Sequence, residues 1–157
     1  MTRWQLLNLP VHLGEAPEPW GTVAALWFLW EERRVDRVGI ISRWRRRWEM
    51  PLGPGVRLDW SGVWIADATV LWPASARVWR VRRRLDRQGW VLANPGGEVL
   101  GLLKDVAFDP DSGAMSWLWL SRGRLADVLH GMVSVPASAV SEDGSSISWL
   151  STGDAVR

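Results

Sequence analysis

The sequence contains no cysteine and no tyrosine, and it has only two histidines, two phenylalanines and a single lysine, Lys104. Without cysteine there is no disulfide, no thiolate nucleophile and no cysteine-ligated metal. His12 and His130 are far apart in the sequence and have no carboxylate pattern nearby that would make a metal or catalytic site. Phosphate-binding loops, dinucleotide fingerprints and nucleophile elbows are also missing. The sequence therefore predicts a protein that is not an enzyme and that has no cofactor and no metal.

Long apolar segments are missing as well. The longest apolar stretch, Trp20 to Trp30, is eleven residues long, which is too short to span a bilayer. Residues 1–10 lack the basic segment and the long apolar run that mark a signal peptide. These absences lead us to expect a cytoplasmic protein.

Tryptophan and arginine are abundant instead, with fourteen tryptophans in 157 residues. A GC-rich genome would produce the same bias, so most of the tryptophans are expected to fill core and interface positions. The net charge of +2 is spread unevenly: residues 41–90 carry eleven arginines against four acidic residues, and residues 91–157 carry four basic against eight acidic residues. Either a basic patch binds a polyanion, or the two halves carry complementary surfaces that meet each other or a second copy.

Short apolar runs bounded by Gly, Pro, Asp and Ser indicate an all-β protein. A shift of 80 residues aligns residues 11–42 with 91–122 without a gap, and a shift of 77 then aligns Val56 with Val133 and Trp72 with Trp149. The matched apolar positions predict two copies of one unit. The predicted strands are residues 10–13, 20–30, 35–42, 56–59, 62–66 and 69–72 in the first copy, and residues 89–93, 99–108, 114–120, 132–136 and 147–150 in the second.

Short strands with tight turns are suited to closing into a small barrel, which removes exposed edges. The predicted fold is therefore all-β, with two small tandem β-barrels at residues 1–73 and 89–152. Residues 74–88 are predicted to form a short basic linker. Val78, Val81 and Leu85 fall on one helical face of this linker, with Ser75 as its N-cap, so we expect a short helix there.

The second copy carries the run GGEVLGLLKDVAFDPDSGAMSWLWL at residues 96–120, followed by VSVPASAV at residues 133–140. In these segments it resembles the PRC-barrel domain, the module of the photosynthetic reaction-centre H subunit and of the C-terminal part of the ribosome-maturation factor RimM. The first copy departs from the pattern: Asp59 stands at the place of the strand-ending proline, Glu31–Arg34 replace the hairpin turn, and residues 43–55 look like an inserted loop. The family shares no catalytic residues, so the resemblance implies a tandem barrel fold and a tendency to bind macromolecules.

The most suggestive string lies on that predicted loop and consists of Arg43, Trp44, Arg45, Arg46, Arg47 and Trp48. Alternating guanidinium and indole groups are what a groove for single-stranded nucleic acid uses, because they pair with phosphates and stack on bases. A second basic cluster lies in the linker at Arg80, Arg82, Arg83, Arg84 and Arg87. The alternative is a solvated loop whose arginines pair with the acidic second half or cap their own tryptophans by cation–π contact. Contact with an anionic membrane is a third interpretation.

Two other stretches favour a structural interpretation. Residues 23–30 are all apolar, so both faces of this strand must be covered, one by its own barrel and the other by the second barrel or by a second copy of the chain. A homodimer through the Trp20–Trp30 strand is one way to meet this need. Asp109, Asp111 and Gly113 resemble the start of a calcium loop, but the later ligands are missing, so a hairpin turn is expected.

Two functions remain. The first is a binding or adaptor module that docks a protein partner through barrel loops and exposed tryptophans. The second is an RNA- or ribosome-associated factor that binds single-stranded nucleic acid through the Arg/Trp-rich string.

Overall fold

The computed structural model describes residues 1–77, 79–80, 90–94, 97–143 and 146–149, with side chains described as far as residue 140. The N-terminal sheet is formed by β1 (Pro10–Leu13), β2 (Gly21–Leu29), β3 (Arg34–Ser42), β4 (Arg47–Met50), β5 (Val56–Asp59), β6 (Gly62–Ile65) and β7 (Trp72–Pro73). The C-terminal sheet is formed by β8 (Val91–Ala93), β9 (Val99–Phe108), β10 (Met115–Ser121), β11 (Val133–Pro136), β12 (Val140–Asp143) and β13 (Ser146–Trp149). The helices are α1 (Arg3–Leu6) and α2 (Arg124–His130), and residues 76–77 and 79–80 are also helical.

Both sheets have the same strand order. The N-terminal sheet runs β5-β6-β1-β2-β3-β4-β7, and the C-terminal sheet, read from its other edge, runs β12-β13-β8-β9-β10-β11. In each sheet a single pair is parallel, β1 with β6 and β8 with β13, and the other described pairs are antiparallel. Strands β1 to β6 therefore correspond one by one to β8 to β13.

The registers correct the second part of the sequence alignment. Val38 lies opposite Met50 in β4, and Leu118 lies opposite Val135 in β11. Since Val38 and Leu118 are matched by the shift of 80, β11 corresponds to β4 and not to β5, and the shift of 77 is wrong. The proline that ends β11, Pro136, has its counterpart in Pro51, directly after β4, rather than at Asp59.

The expectation of a mostly β protein is confirmed, but closed barrels are not found. Within the described part of the chain, the strand order of each sheet ends at two edges that do not pair with each other. In the N-terminal sheet the outer edge of β4 pairs with β7, where Trp48 lies opposite Pro73 and Glu49 opposite Trp72. Because β7 occupies the outer edge of β4, β5 does not pair there. The N-terminal sheet is therefore not closed into a barrel by backbone hydrogen bonds.

The two sheets contribute to each other's apolar cores. One core cluster collects buried side chains from β1 to β6 and includes Phe108, which belongs to the C-terminal sheet. The other cluster collects side chains from the C-terminal sheet and includes Trp30, which follows β2. Phe28 packs against both clusters. The N–H of Phe108 also donates to the carbonyl oxygen of Met1 at 2.8 Å. The two sheets therefore share buried side chains and backbone bonds.

The outer face of β2 is covered from within the chain, as its apolar sequence required. The ring of Trp79, which is 3% exposed, meets Trp27 edge-on with the centroids 5.1 Å apart. Both rings lie over Gly39, where a Cβ would come within 2.6 Å of Trp27 and 2.7 Å of Trp79. Trp30 packs against Trp90 of the second half at 5.5 Å. The apolar pattern of this strand is thus accounted for without a second copy of the chain.

Most predicted strands match observed ones, and the differences are local. Residues 43–55, predicted as an inserted loop, contain the strand β4, and the predicted strand 69–72 is a 3-10 turn (Ala68–Val70) followed by β7. Strand β12 and helix α2 were not predicted. In the linker the N–H of Trp79 donates to the carbonyl oxygen of Ser75 at 2.9 Å, as in a helix beginning at Ser75. Val78, Val81 and Leu85 lie outside the described residues.

Candidate binding groove

The Arg/Trp-rich string forms the hairpin between β3 and β4, not an inserted loop. The N–H of Ser42 donates to the carbonyl oxygen of Arg46 at 2.9 Å, and the N–H of Arg45 donates to that of Ser42 at 2.8 Å. Arg45 has a φ of 61°, in the left-handed region that closes a tight turn. Arg43, Trp44, Arg45, Arg46 and Arg47 are exposed, whereas Trp48 is half-buried on β4.

A groove of about 670 Å³ lies beside this hairpin. It is lined by three indoles, one guanidinium and three aliphatic side chains, namely Trp20, Trp44, Trp48, Arg46, Leu13, Ala68 and Leu71. Trp20 meets Trp48 edge-on, with the ring centroids 5.5 Å apart and the planes at 63°. Trp44 is 58% exposed at the rim. The groove is therefore an apolar, aromatic cleft with a cation at its edge.

Hydrogen bonds to the backbone position two parts of the groove lining. Trp20 directly precedes β2, and its carbonyl oxygen accepts the N–H of Arg43 at 3.0 Å, which ties it to the hairpin. Asp67 caps the 3-10 turn that supplies the opposite wall by accepting the N–H of Thr69 at 2.9 Å. The indole N–H of Trp48 is buried and finds no acceptor among the described residues. A residue lining the groove thus carries a donor that the described protein atoms leave unsatisfied.

The arginines of the hairpin differ in how they are paired. Arg43 forms an ion pair with Glu18 at 3.0 Å and lies over the ring of Trp44 at 4.3 Å. The cation–π contact fits the solvated-loop interpretation, whereas the ion-pair partner Glu18 belongs to the first half and not to the acidic second half. Arg45, Arg46 and Arg47 have no ion pair with an acidic residue in the described part of the chain. Two exposed arginines of the turn, Arg45 and Arg46, and Arg47 at the start of β4 are therefore without an ion pair in the described part of the chain.

The second basic cluster is described only in part. Arg80 is exposed, and its neighbour Trp79 is buried against the N-terminal sheet. Arg82, Arg83, Arg84 and Arg87 lie outside the described residues. The structure therefore tests the placement of Arg80 alone.

His12 and the Asp109 loop have structural surroundings. His12 stacks on Trp64 with the centroids 5.4 Å apart, and Arg57 covers that indole at 4.5 Å. One carboxylate oxygen of Asp109 accepts the N–H and the hydroxyl of Ser112, both at 2.8 Å, which lowers the pKa of Asp109. No group of potential metal ligands is found within the described ranges. The predicted hairpin turn at Asp109 is confirmed.

Sequence reasoning missed two features of the surface. Trp20, Leu13 and Leu71 line the groove although they are distant in sequence, and only the topology brings them to the hairpin. Helix α2 turns its apolar side to solvent, an arrangement that we call the α2 face, formed by Leu125, Val128, Leu129 and Met132. The helical spacing of these residues is visible in the sequence, but their orientation is not.

No protein-family model matches this sequence, and no curated protein matches it either. Among the described residues, the helices are too short or too polar to cross a membrane.

Proposed function

We propose that the chain is a non-enzymatic binding protein, built from two divergent units of the PRC-barrel type, that binds single-stranded nucleic acid in the indole groove. The supporting observation is a groove lined by Trp20, Trp44, Trp48 and Arg46, with the exposed Arg45 and Arg47 next to Arg46 in the chain. This arrangement favours an RNA-associated role.

The ligand class follows from the two kinds of side chain. Exposed guanidinium groups release counterions when they contact phosphates, and indoles stack on bases of any sequence. Trp20 and Trp48 are half-buried at the groove, so only a base that has left its helical stack can reach them. A single strand meets this condition, whereas a duplex keeps its bases paired and stacked.

A protein partner is the second candidate, favoured by exposed indoles away from the groove. Trp117 is 47% exposed on β10, where it lies opposite Pro136, and Trp60 is 70% exposed in the turn between β5 and β6. Tryptophans are frequent anchors in protein interfaces. In this alternative the chain is an adaptor that docks its partner through these indoles, and an acidic segment of that partner can reach the groove beside Arg46.

The test is fluorescence anisotropy of a labelled single-stranded RNA, titrated at about 50 and 200 mM salt. We expect affinity to fall more than tenfold between these conditions, and we expect the variant R45A/R46A/R47A to lose binding. The control R57A/R122A/R124A removes three exposed arginines outside the groove, and therefore the same charge.

The control decides between a local site and a general charge effect. Binding that survives in R57A/R122A/R124A and is lost in R45A/R46A/R47A supports the groove. Equal loss in both variants, or no binding at 50 mM salt, contradicts the proposal. In the latter case, capture of an acidic peptide by Trp44 and Arg46 becomes the function to test.

A further inference from the structure

Helix α2 is held to the fold by polar contacts, and its apolar side points away from it. Asp127 accepts the hydroxyl of Ser121 and, at 3.0 Å, the backbone N–H of Arg122. On the opposite side Leu125 is 81% exposed, Val128 84% and Leu129 73%. A helix that served only to close the fold would bury its apolar stripe and expose its carboxylate. The inverted arrangement therefore leaves the apolar stripe exposed to solvent.

The corresponding connection in the N-terminal sheet shows that the fold does not need this helix. Strands β3 and β4 are joined by the tight turn of residues 43–46, whereas their counterparts β10 and β11 are joined through α2. Gly123 and Gly131 flank the helix with φ values of 116° and 75°, and nothing lies within 4 Å of a Cβ placed at either. The helix is thus an addition that projects from the end of the sheet.

Charge and area limit what can cover the α2 face. Arg122 and Arg124 are exposed at the start of the helix and form no ion pair within the described ranges. The only acidic residue of the helix, Asp127, is turned toward the fold. The α2 face has four side chains, far fewer than the roughly 20–30 residues that each partner contributes to a stable protein interface. A shallow apolar insertion with flanking arginines is what an anionic lipid surface accepts.

We propose that the α2 face is a membrane-surface contact for bilayers that contain anionic phospholipids. Leu125, Val128 and Leu129 enter the interface between headgroups and acyl chains, and Arg122 and Arg124 pair with lipid phosphates. Helix α2 follows β10 of the C-terminal sheet, and the α2 face shares no residue with the indole groove. This contact is therefore independent of the nucleic-acid proposal.

The absence of cysteine allows a direct test on the full chain. Val128→Cys creates a single thiol, which can be labelled with an environment-sensitive nitrobenzoxadiazole dye. Trp60→Cys, at an exposed turn of the N-terminal sheet, serves as the control site. We expect the dye at position 128 to shift to the blue and gain intensity with vesicles of phosphatidylcholine containing about 30% phosphatidylglycerol, but not with pure phosphatidylcholine. The dye at position 60 should not respond to either vesicle.

Sedimentation with the same vesicles tests which side chains contribute to membrane binding. L125S/L129S should reduce binding at least tenfold, since it removes two inserted side chains, and R122Q/R124Q should reduce it severalfold. R45A/R46A/R47A should sediment like the unchanged chain, which separates this contact from the nucleic-acid site. All substituted residues are exposed, and circular dichroism checks that the variants fold.

Three outcomes would overturn the proposal. The first is the absence of any dye response to anionic vesicles. The second is a response at position 128 that depends on protein concentration and needs no vesicles, which would assign the α2 face to contact between copies of the chain. Equal binding by L125S/L129S and the unchanged chain would also contradict it.

Discussion

Arg34 and Ala114 form an antiparallel bridge, and they are 80 residues apart, the same distance that aligns the two halves of the sequence. The flanking bonds are reciprocal: the N–H of Val35 donates to Gly113 at 2.8 Å, and the N–H of Met115 donates to Arg33 at 2.7 Å. The shift of 80 matches Val35 with Met115 and Arg33 with Gly113. Each of the two bonds is therefore the counterpart of the other in the second copy. The β2–β3 and β9–β10 hairpins thus meet at corresponding residues, as a local two-fold axis through this bridge requires.

The shared core predicts that the two sheets unfold together. Phe108 is 1% exposed among side chains of the N-terminal sheet although it belongs to β9. We expect Phe108→Ala to lower the free energy of unfolding by about 3–5 kcal/mol, because it removes a large buried ring and leaves a cavity. Urea unfolding followed by far-ultraviolet circular dichroism and by tryptophan fluorescence should show one coincident transition. Two separate transitions in the unchanged chain would contradict a shared core.

The packing of Trp79 on the N-terminal sheet makes Gly39 the most sensitive small residue of β3. Gly39→Ala places a Cβ within 2.6 Å of Trp27 and 2.7 Å of Trp79, so one of the rings must move. The expected destabilisation is about 1–3 kcal/mol, measured by urea unfolding. Gly53→Ala is the matched control, since nothing lies within 4 Å of its Cβ, and it should change stability little. If Trp79 causes the strain, Gly39→Ala should cost less in a Trp79→Ala background.

Strands whose residues alternate between apolar and polar, or are continuously apolar, could be predicted from the sequence. The predicted bounds of β9 are the same as the observed ones. Strand β4 could not, because its four residues begin with an arginine and contain Glu49, which is 6% exposed and pairs with Arg37 at 3.1 Å. A short strand with an arginine and a half-exposed ion pair looks like a polar loop until its partner strand is known. The predicted barrel closure is not found in the described part of the chain. The pairing of β7 with β4 could not be anticipated, because it joins too few residues to give a periodic signal.

The hairpin arginines and Trp44 could be identified from sequence because they are contiguous. The remaining groove residues could not, since Trp20 and Leu71 reach the hairpin only through the order of the strands. Helix α2 makes the connection between β10 and β11 longer than the turn between β3 and β4, so the offset between the two copies changes at this point. The shift of 77 did not follow this change and paired β5 with β11. A constant offset fails wherever one copy carries an additional helix in a connection.

The hydrogen bonds of Ser112 should set how Asp109 titrates. The hydroxyl and the backbone N–H of Ser112 hold the pKa of Asp109 below its usual value of 3.8. Because this pKa is lower in the folded chain than in the unfolded chain, its contribution to stability is present above the unfolded pKa and is lost as the pH falls through the folded one. Ser112→Ala removes the hydroxyl donor, so the pKa of Asp109 should rise.

Carbon-13 NMR titration of the carboxyl groups measures this change. Asp59 is the internal control, because Ser61 lowers its pKa in the same way at a separate turn. In Ser112→Ala the titration of Asp59 should stay in place, and in Ser61→Ala it should rise while that of Asp109 does not move. Equal shifts of both groups in Ser112→Ala would show a global change instead of a lost hydrogen bond.

The ion pair between Arg43 and Glu18 should limit nucleic-acid binding, because it holds one of the four hairpin arginines away from phosphates. Glu18→Gln releases this guanidinium, so we expect tighter binding of single-stranded RNA at low salt and a slope of log affinity against log salt that is steeper by about 0.7, the value for one additional phosphate contact. Glu31→Gln removes the same charge from an exposed glutamate outside the groove, and it should leave the slope unchanged. If both variants steepen the slope equally, net charge and not Arg43 governs binding. If neither does, the hairpin arginines do not contact phosphate, and the acidic-peptide alternative gains support.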